Sequence, residues 1–308
     1  MPKDFLTIES CSTASVRKLL ENTLVMKKDR YGDTSLAGKT IAIIFSKSST
    51  RTRMGFEIGM QQLGGYASFL SHRDIQLGRG ETLADTAKVM SRYVDGLVVR
   101  TFAHSEIEEL AREATIPVIN ALTDDYHPCQ AIADFTTILE KKGKLEGIKL
   151  AYIGDSNNVA NSLIIAGAKL GVDINIASPD GYKPDKKLVA RAETINKTSG
   201  GKLMITSRPA EAADGADVIY TDVWASMGQE EESEKRKAAF SGFTVDDKLL
   251  AKGKPDCIVM HCLPAHRGEE ISASVIDGPN SVVWDQAENK LHAQKAVLKM
   301  VLLGDLHG

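Results

Sequence analysis

Short apolar runs alternating with stretches of helical periodicity limit what this chain can fold into more than any other feature. The runs are Ile41 to Phe45, Gly96 to Val99, Pro117 to Ala121, Lys149 to Ile153, Asp173 to Ala177, Leu203 to Thr206, Asp217 to Thr221, Cys257 to His261 and Ser281 to Trp284. Candidate helices separate nearly all of them. β-Branched runs spaced in this way belong to parallel sheets covered by helices on both faces. At 308 residues the chain exceeds the size at which one hydrophobic core usually keeps growing, so two lobes of roughly 150 residues each are expected. The expected fold class is α/β, with two doubly wound parallel-sheet domains and the active site in the cleft between them. The low-apolar stretch Lys141-Lys-Gly-Lys-Leu-Glu-Gly147 breaks the helix before it and marks the boundary, giving domains 1–140 and 141–287. From Leu291 to Leu303 apolar residues recur at helical spacing with no strand after them, so the helix in 288–308 is free to pack back onto the first domain.

Lys plus Arg number 38 against 41 Asp plus Glu, a formal net charge of -3. No global field attracts nucleic acid or anionic lipid, so any anion site must be local. The opening MPKDFLTIES has neither an apolar signal core nor an Arg-rich amphipathic pattern, and no apolar run approaches the roughly 20 residues that span a bilayer. A soluble cytoplasmic protein is expected. Cys11, Cys129, Cys257 and Cys262 are too scattered for a disulfide framework and read as free thiols. The stretch Cys257, His261, Cys262, His266 invites a metal reading, because sulfur and imidazole are the ligands zinc prefers. Strand alternation there would send adjacent His261 and Cys262 to opposite faces, so no metal is expected.

The segment Ile41 to Glu57 reads as a strand, a polar turn and a helix beginning near Ser49. Orphan N–H groups and the positive dipole end then point out of a strand's carboxyl edge. The hydroxyls of Ser49, Thr50 and Thr52 with the guanidinium of Arg51 suit that place to a phosphate. Taken by itself the segment fits a serine N-cap with solvated arginines equally well. Lys47, Arg51 and Arg53 crowd like charges at a helix start, where the dipole disfavours cations, and an anion would relieve that cost. Neither G-x-x-x-x-G-K-[ST] nor G-x-G-x-x-G occurs. Gly154-Asp-Ser-Asn-Asn158 follows a strand and opens a helix, which keeps a dinucleotide-dependent dehydrogenase as the alternative of a different class, although the glycines of that fingerprint are absent.

Ser49-Thr50-Arg51-Thr52-Arg53 resembles the carbamoyl phosphate motif of the aspartate and ornithine carbamoyltransferase family. Arg100, just past a strand, is similar to the family arginine at a strand's carboxyl end, and His127-Pro-Cys-Gln130 to its H-P-x-Q motif. The motifs fall in the family's order, and the match covers essentially the whole chain. The resemblance implies that Ser49 to Thr52 and Arg100 hold the phosphate. It implies that Thr52, Arg100 and His127 stabilise charge on the carbamoyl oxygen, that Gln130 holds the carbamoyl amide, and that Arg53 is structural. It implies no metal or other cofactor. Asp74-Ile-Gln76-Leu-Gly78 resembles a loop that reaches a neighbouring subunit's phosphate site, implying a homotrimer, or an assembly of trimers, with Gln76 contributed across the interface. Where the family shows A-E-N-R at the start of its last helix, this chain has Ala287-Glu288-Asn289-Lys290, so Lys290 is expected to contact the carbamoyl oxygen in place of an arginine.

Three motifs ending predicted strands concern the acceptor: Asn157-Asn158, Asp222-Val-Trp-Ala-Ser226-Met227-Gly228, and His261-Cys262-Leu263-Pro264. Strand carboxyl ends are where open α/β sheets bind ligands. Read without the resemblance, Asn158 is a helix cap, Asp222 a cap or turn acid and Cys262 a small buried hydrophobe. The ornithine branch is similar at all three motifs. That similarity implies that Asp222 and Ser226 hold an α-ammonium, and that Asn158 and the Met227 backbone hold an α-carboxylate. Cys262 and the Leu263 carbonyl would then sit near the reacting amine and the carbamoyl group. Arg100, His127, Cys262 and Asp222 are the expected catalytic groups. The implied reaction carries a carbamoyl group from carbamoyl phosphate to the side-chain amine of L-ornithine, giving L-citrulline and phosphate, in arginine metabolism. Putrescine or aspartate are the alternative acceptors.

Overall fold

The computed structural model describes residues 3–71, 80–225 and 232–304. The chain divides into two units, one running to Thr136 and taking up the chain again from Glu288, the other spanning Thr137–Ala287. In the first unit the order is α1 (Thr13–Lys28), β1 (Thr40–Phe45), α2 (Thr50–Gln62), β2 (Tyr66–Ser71), α3 (Leu83–Met90), β3 (Gly96–Arg100), α4 (His104–Glu113), β4 (Val118–Leu122) and α5 (Pro128–Lys142). The strands form one parallel sheet in the order β2-β1-β3-β4. Central β3 is buried along its whole length, as expected when helices cover both faces.

The second unit carries β5 (Lys149–Ile153), α6 (Asn158–Leu170), β6 (Asp173–Ala177), α7 (Lys186–Ser199), β7 (Leu203–Thr206), α8 (Pro209–Ala213), β8 (Val218–Thr221), α9 (Ser233–Ala239), α10 (Asp247–Leu250), β9 (Ile258–His261) and α11 (Ala273–Ile276). Its parallel sheet runs β7-β6-β5-β8-β9. Register aligns Ile153 with Thr221 and Thr221 with His261, so β5, β8 and β9 release their next residues side by side. The boundary between the units falls inside α5 and again inside the last helix, α12 (Val283–Leu302).

Most expected strands are present, and the α/β class with two parallel sheets is as expected. Three differences have physical causes. β2 escaped notice because it is an edge strand whose Tyr66 is 69% exposed and whose remaining residues are only half-buried or exposed. Its sequence therefore lacks a continuous apolar run. Ser281 to Trp284 is not a strand: Ser281 makes one isolated bridge to Val259, and α12 begins at Val283. The last helix starts well before Leu291, because its first turns bury Gln286, Asn289 and Lys290, polar residues that an apolar count passes over. Among the described residues no helix is long and apolar enough to cross a membrane.

Candidate active site

After Phe45 the chain turns through Ser46 to Ser49 into α2. The turn is fastened to the neighbouring strand, since Ser46 N–H donates to the Arg100 carbonyl at 2.8 Å and the register sets Phe45 beside Arg100. Ser49 has extended backbone and caps α2, its Oγ accepting from Thr52 N–H at 3.3 Å. The other N–H groups of the first turn stay open to an anion, on the positive end of the dipole. Thr50 and Arg51 are exposed there. Thr52 is fully buried, and its hydroxyl has no hydrogen-bond partner among the described residues. Leaving a buried hydroxyl unsatisfied costs about 1 to 3 kcal/mol, which a ligand oxygen would offset.

The cations of this turn are less crowded than their spacing in the sequence suggests. Lys47 is paired with Asp124 and lies 4.3 Å from the centre of the Phe102 ring. Arg53 pairs with Glu57 at 3.1 Å and sits 3.7 Å over the Phe69 ring. Both cations are neutralised where they stand, so Arg51 alone, with no ion pair among the described residues, is left for an anion.

His127 lies immediately before α5. Burial holds its pKa well below the ordinary histidine value, and the positive charges of Lys290 and Arg100 push it further down. At neutral pH the ring is therefore an uncharged hydrogen-bonding group. Arg100 is buried at the end of β3. One turn into α5, Gln130 Nε2 donates to Asp134 Oδ1 at 2.8 Å. This leaves Gln130 Oε1 buried without a partner among the described residues, an acceptor ready for an amide N–H. Between them, burial pushes the Cys129 thiol up to about 12, removing it as a nucleophile. Lys290 lies two turns inside α12 rather than at its start, is 7% exposed, and its charge acts on both His127 and Cys129.

In the second unit Gly154 (φ 147) makes the turn after β5, in a backbone region reserved almost entirely for glycine. Asn157, not Asn158, caps α6, its Oδ1 accepting from Val159 and Ala160 N–H. Its Nδ2 reaches across to donate to Asp222 Oδ2 at 2.8 Å. Asp222, just past β8 and 6% exposed, also accepts at Oδ1 from its neighbour's Val223 N–H at 2.9 Å and from Cys262 Sγ at 3.1 Å. The three strand ends are thus laced together around one carboxylate. Asn158 stands at the first position of α6, half-buried. Arg236 on α9 supports the same region from below, pairing with Asp155 at 2.7 Å and donating to the Trp224 carbonyl at 2.9 Å. Sequence reasoning gave no role to Asn157 or Arg236. An asparagine doublet before a helix is a capping signal that could have found the first, whereas nothing local pointed to the second.

The His261 to Pro264 corner is held from behind. His261 Nδ1 accepts from Leu263 N–H at 2.9 Å, so the ring carries its proton on Nε2, facing Glu270 Oε1 at 3.1 Å. Leu263 is held at φ 59, the left-handed region that a leucine enters at some cost, before a cis bond to Pro264. The expectation that His261 and Cys262 face opposite sides fails because β9 ends at His261. Donor atoms of Asp222, His261 and Cys262 lie within 4.8 Å of one another. Both imidazole nitrogens are nevertheless engaged, and Cys262 is turned onto Asp222, an arrangement that fits a hydrogen-bonded anchor better than a metal ligand set. Gln76, Ser226 and Met227, all expected site residues, lie outside the described residues.

Comparison with known proteins matches both parts of the chain to one family. Residues 3–140 match the carbamoyl-P binding domain of the aspartate/ornithine carbamoyltransferase family, and residues 146–301 its Asp/Orn binding domain. An ornithine carbamoyltransferase of Bacillus subtilis is 56% identical over 300 residues, 97% of this chain and 94% of its own length. One of Thermococcus kodakarensis is 53% identical over 305 residues, 98% of this chain and 97% of its own. The solved ornithine carbamoyltransferase from Pyrococcus furiosus superposes with a TM-score of 0.95 at 52% identity, covering 99% of this chain and 98% of that one. With both halves matched by the family's two domains and full-length relatives above half identity, the chain belongs to the aspartate/ornithine carbamoyltransferase family.

Proposed function

We propose that the protein is an ornithine carbamoyltransferase, transferring the carbamoyl group of carbamoyl phosphate to the side-chain amine of L-ornithine and releasing L-citrulline and phosphate. The observation that carries this reading is Asp222, a buried carboxylate fixed by Asn157 at the meeting of three strand ends. An anion so placed suits the α-ammonium of an amino-acid acceptor, with Ser226 beside it and Asn158 and the Met227 backbone for the α-carboxylate. Putrescine offers no carboxylate for that pair. Aspartate brings a second carboxylate, which calls for cations rather than Asp222.

In the reaction the neutral amine's lone pair forms a bond to the carbamoyl carbon. The bond from that carbon to the phosphate oxygen breaks, phosphate leaves with the electron pair, and the amine sheds a proton. Negative charge builds on the carbamoyl oxygen, where Thr52, Arg100, His127 and Lys290 are the proposed stabilisers. A neutral His127 can donate there without having to hold a charge. Gln130 Oε1 accepts from the carbamoyl amide, while Ser49, Thr50, Arg51, Thr52 and Arg100 orient the phosphate. Cys262 and the Leu263 carbonyl attend the acceptor's amine and the carbamoyl group it meets. The chain is proposed to act in the cytoplasm, where its free thiols suit a reducing compartment, and as a homotrimer with Gln76 reaching a neighbour's phosphate site.

Two variants test the division of labour. Asp222→Asn should raise the ornithine KM by tens to hundreds of fold, about 2 to 3 kcal/mol, with carbamoyl phosphate binding nearly intact. Arg51→Ala should do the reverse. Equal damage to both substrates by either variant would sink the assignment.

A further inference from the structure

We propose that Gln294, one helical turn beyond Lys290 on α12, is a positioning residue that fixes the first turn of α2 for carbamoyl phosphate. This rests on the reading that the α2 N-terminus holds the phosphate. Gln294 is fully buried, and its Nε2 donates to the Thr52 carbonyl at 3.3 Å. Thr52 is the residue whose N–H closes the Ser49 cap and whose buried hydroxyl is unpartnered. The bond therefore acts on the peptide unit next to the groups that would touch the ligand.

The approach is made close by glycine at Gly55, with Gly59 one turn on along the same face of α2. A Cβ at Gly55 would lie 1.7 Å from Gln294 Oε1, and one at Gly59 would meet Lys295 Cγ at 3.3 Å and Leu298 Cδ1 at 3.7 Å. For stability alone this is a poor arrangement. Glycine weakens a helix interior, and Gln294 Oε1 is buried without a hydrogen-bond partner among the described residues. An alanine facing a leucine would pack the same space better. What the glutamine supplies, and an apolar chain cannot, is a directed bond that sets the rotation of the Thr52 peptide. Lys290 and Gln294 share one face of α12, so one rigid element delivers a charge near His127 and braces the phosphate turn.

The test is steady-state kinetics of Gln294→Met, which keeps the volume and removes the donor. The KM for carbamoyl phosphate should rise about tenfold, the size of one lost hydrogen bond. Saturated turnover should fall less than about threefold, the ornithine KM should stay put, and the thermal midpoint should not drop, because an unsatisfied amide has gone. Gly55→Ala should also raise the carbamoyl phosphate KM, and adding Gln294→Ala, which vacates the clashing space, should bring it back to that of Gln294→Ala alone. The proposal is overturned if Gln294→Met leaves the carbamoyl phosphate KM within twofold of the parent, or if both substrates suffer alike while the thermal midpoint falls. Arg51→Ala in the same assays separates the two layers. If it spares carbamoyl phosphate, the phosphate site itself is misplaced; if it does not, and Gln294→Met does, only the positioning role fails.

Discussion

Lys290 stands where the family resemblance leads us to expect an arginine, and its surroundings say what a lysine can do there. It is buried, and its charge is felt by His127 strongly enough to help keep that ring neutral. Lysine retains the charge of the usual arginine but loses the planar fork. Lys290→Arg should be tolerated. Lys290→Met should slow single-turnover citrulline formation by roughly 10 to 1000 fold if the contact strengthens in the transition state, and His127 should then titrate closer to an ordinary histidine. A Met variant within a factor of about two of the parent, well under 1 kcal/mol, would place Lys290 outside the chemistry. At this scale the residues proposed to hold carbamoyl phosphate could be named from the sequence, because Ser49 to Arg53, Arg100 and His127 to Gln130 are compact motifs at strand ends. The partners that hold the second half-site were not. Asn157 to Asp222 and Cys262 to Asp222 span 65 and 40 residues, and no local pattern joins positions so far apart.

Among the elements, α12 shows how function hides a helix from its own sequence. An amphipathic count finds the apolar stripe from Leu291 onward, but the buried face also carries Gln286, Asn289, Lys290, His292, Gln294 and Lys295. His292 is the one with a consequence for stability. It is 1% exposed, and neither ring nitrogen has a hydrogen-bond partner among the described residues. Burial lowers its pKa from 6.5 to about 4, helped by Lys295, Lys27 and Arg30 and opposed by Glu288. Because the folded value is the lower one, the unfolded chain takes up the proton first. The stability is full above pH 6.5 and drains away as pH falls toward about 4, a loss on the order of 3 kcal/mol. Denaturant titrations across this range should show that slope in the parent and a flatter one in His292→Leu. Identical slopes would mean that other groups drive the acid transition. The strands, by contrast, were legible wherever both faces are covered. β2 was missed because an edge strand with Tyr66 outward has no such signature.

For the whole molecule, the two-sheet architecture followed from the run of apolar segments, whereas the proposed assembly rests on Asp74 to Gly78, which lie outside the described residues. Met54 on α2 and Tyr66 on edge strand β2 are 50% and 69% exposed. If Gln76 completes a neighbour's site, mixing inactive Gln76→Ala chains with inactive Arg51→Ala chains should restore part of the activity, through sites free of both lesions. Verified mixed trimers that stay inactive would show that each chain owns its whole site. The most direct test of the central claim is the choice of acceptor. Carbamoyl transfer should be measured from carbamoyl phosphate to ornithine, putrescine, N-acetylornithine and aspartate in parallel, as kcat/KM. Ornithine should exceed each of the others by at least about thirtyfold, since each lacks or mismatches a charge-assisted contact worth about 2 to 3 kcal/mol. Equal or faster carbamoylation of putrescine or aspartate would contradict the amino-acid clamp built on Asp222.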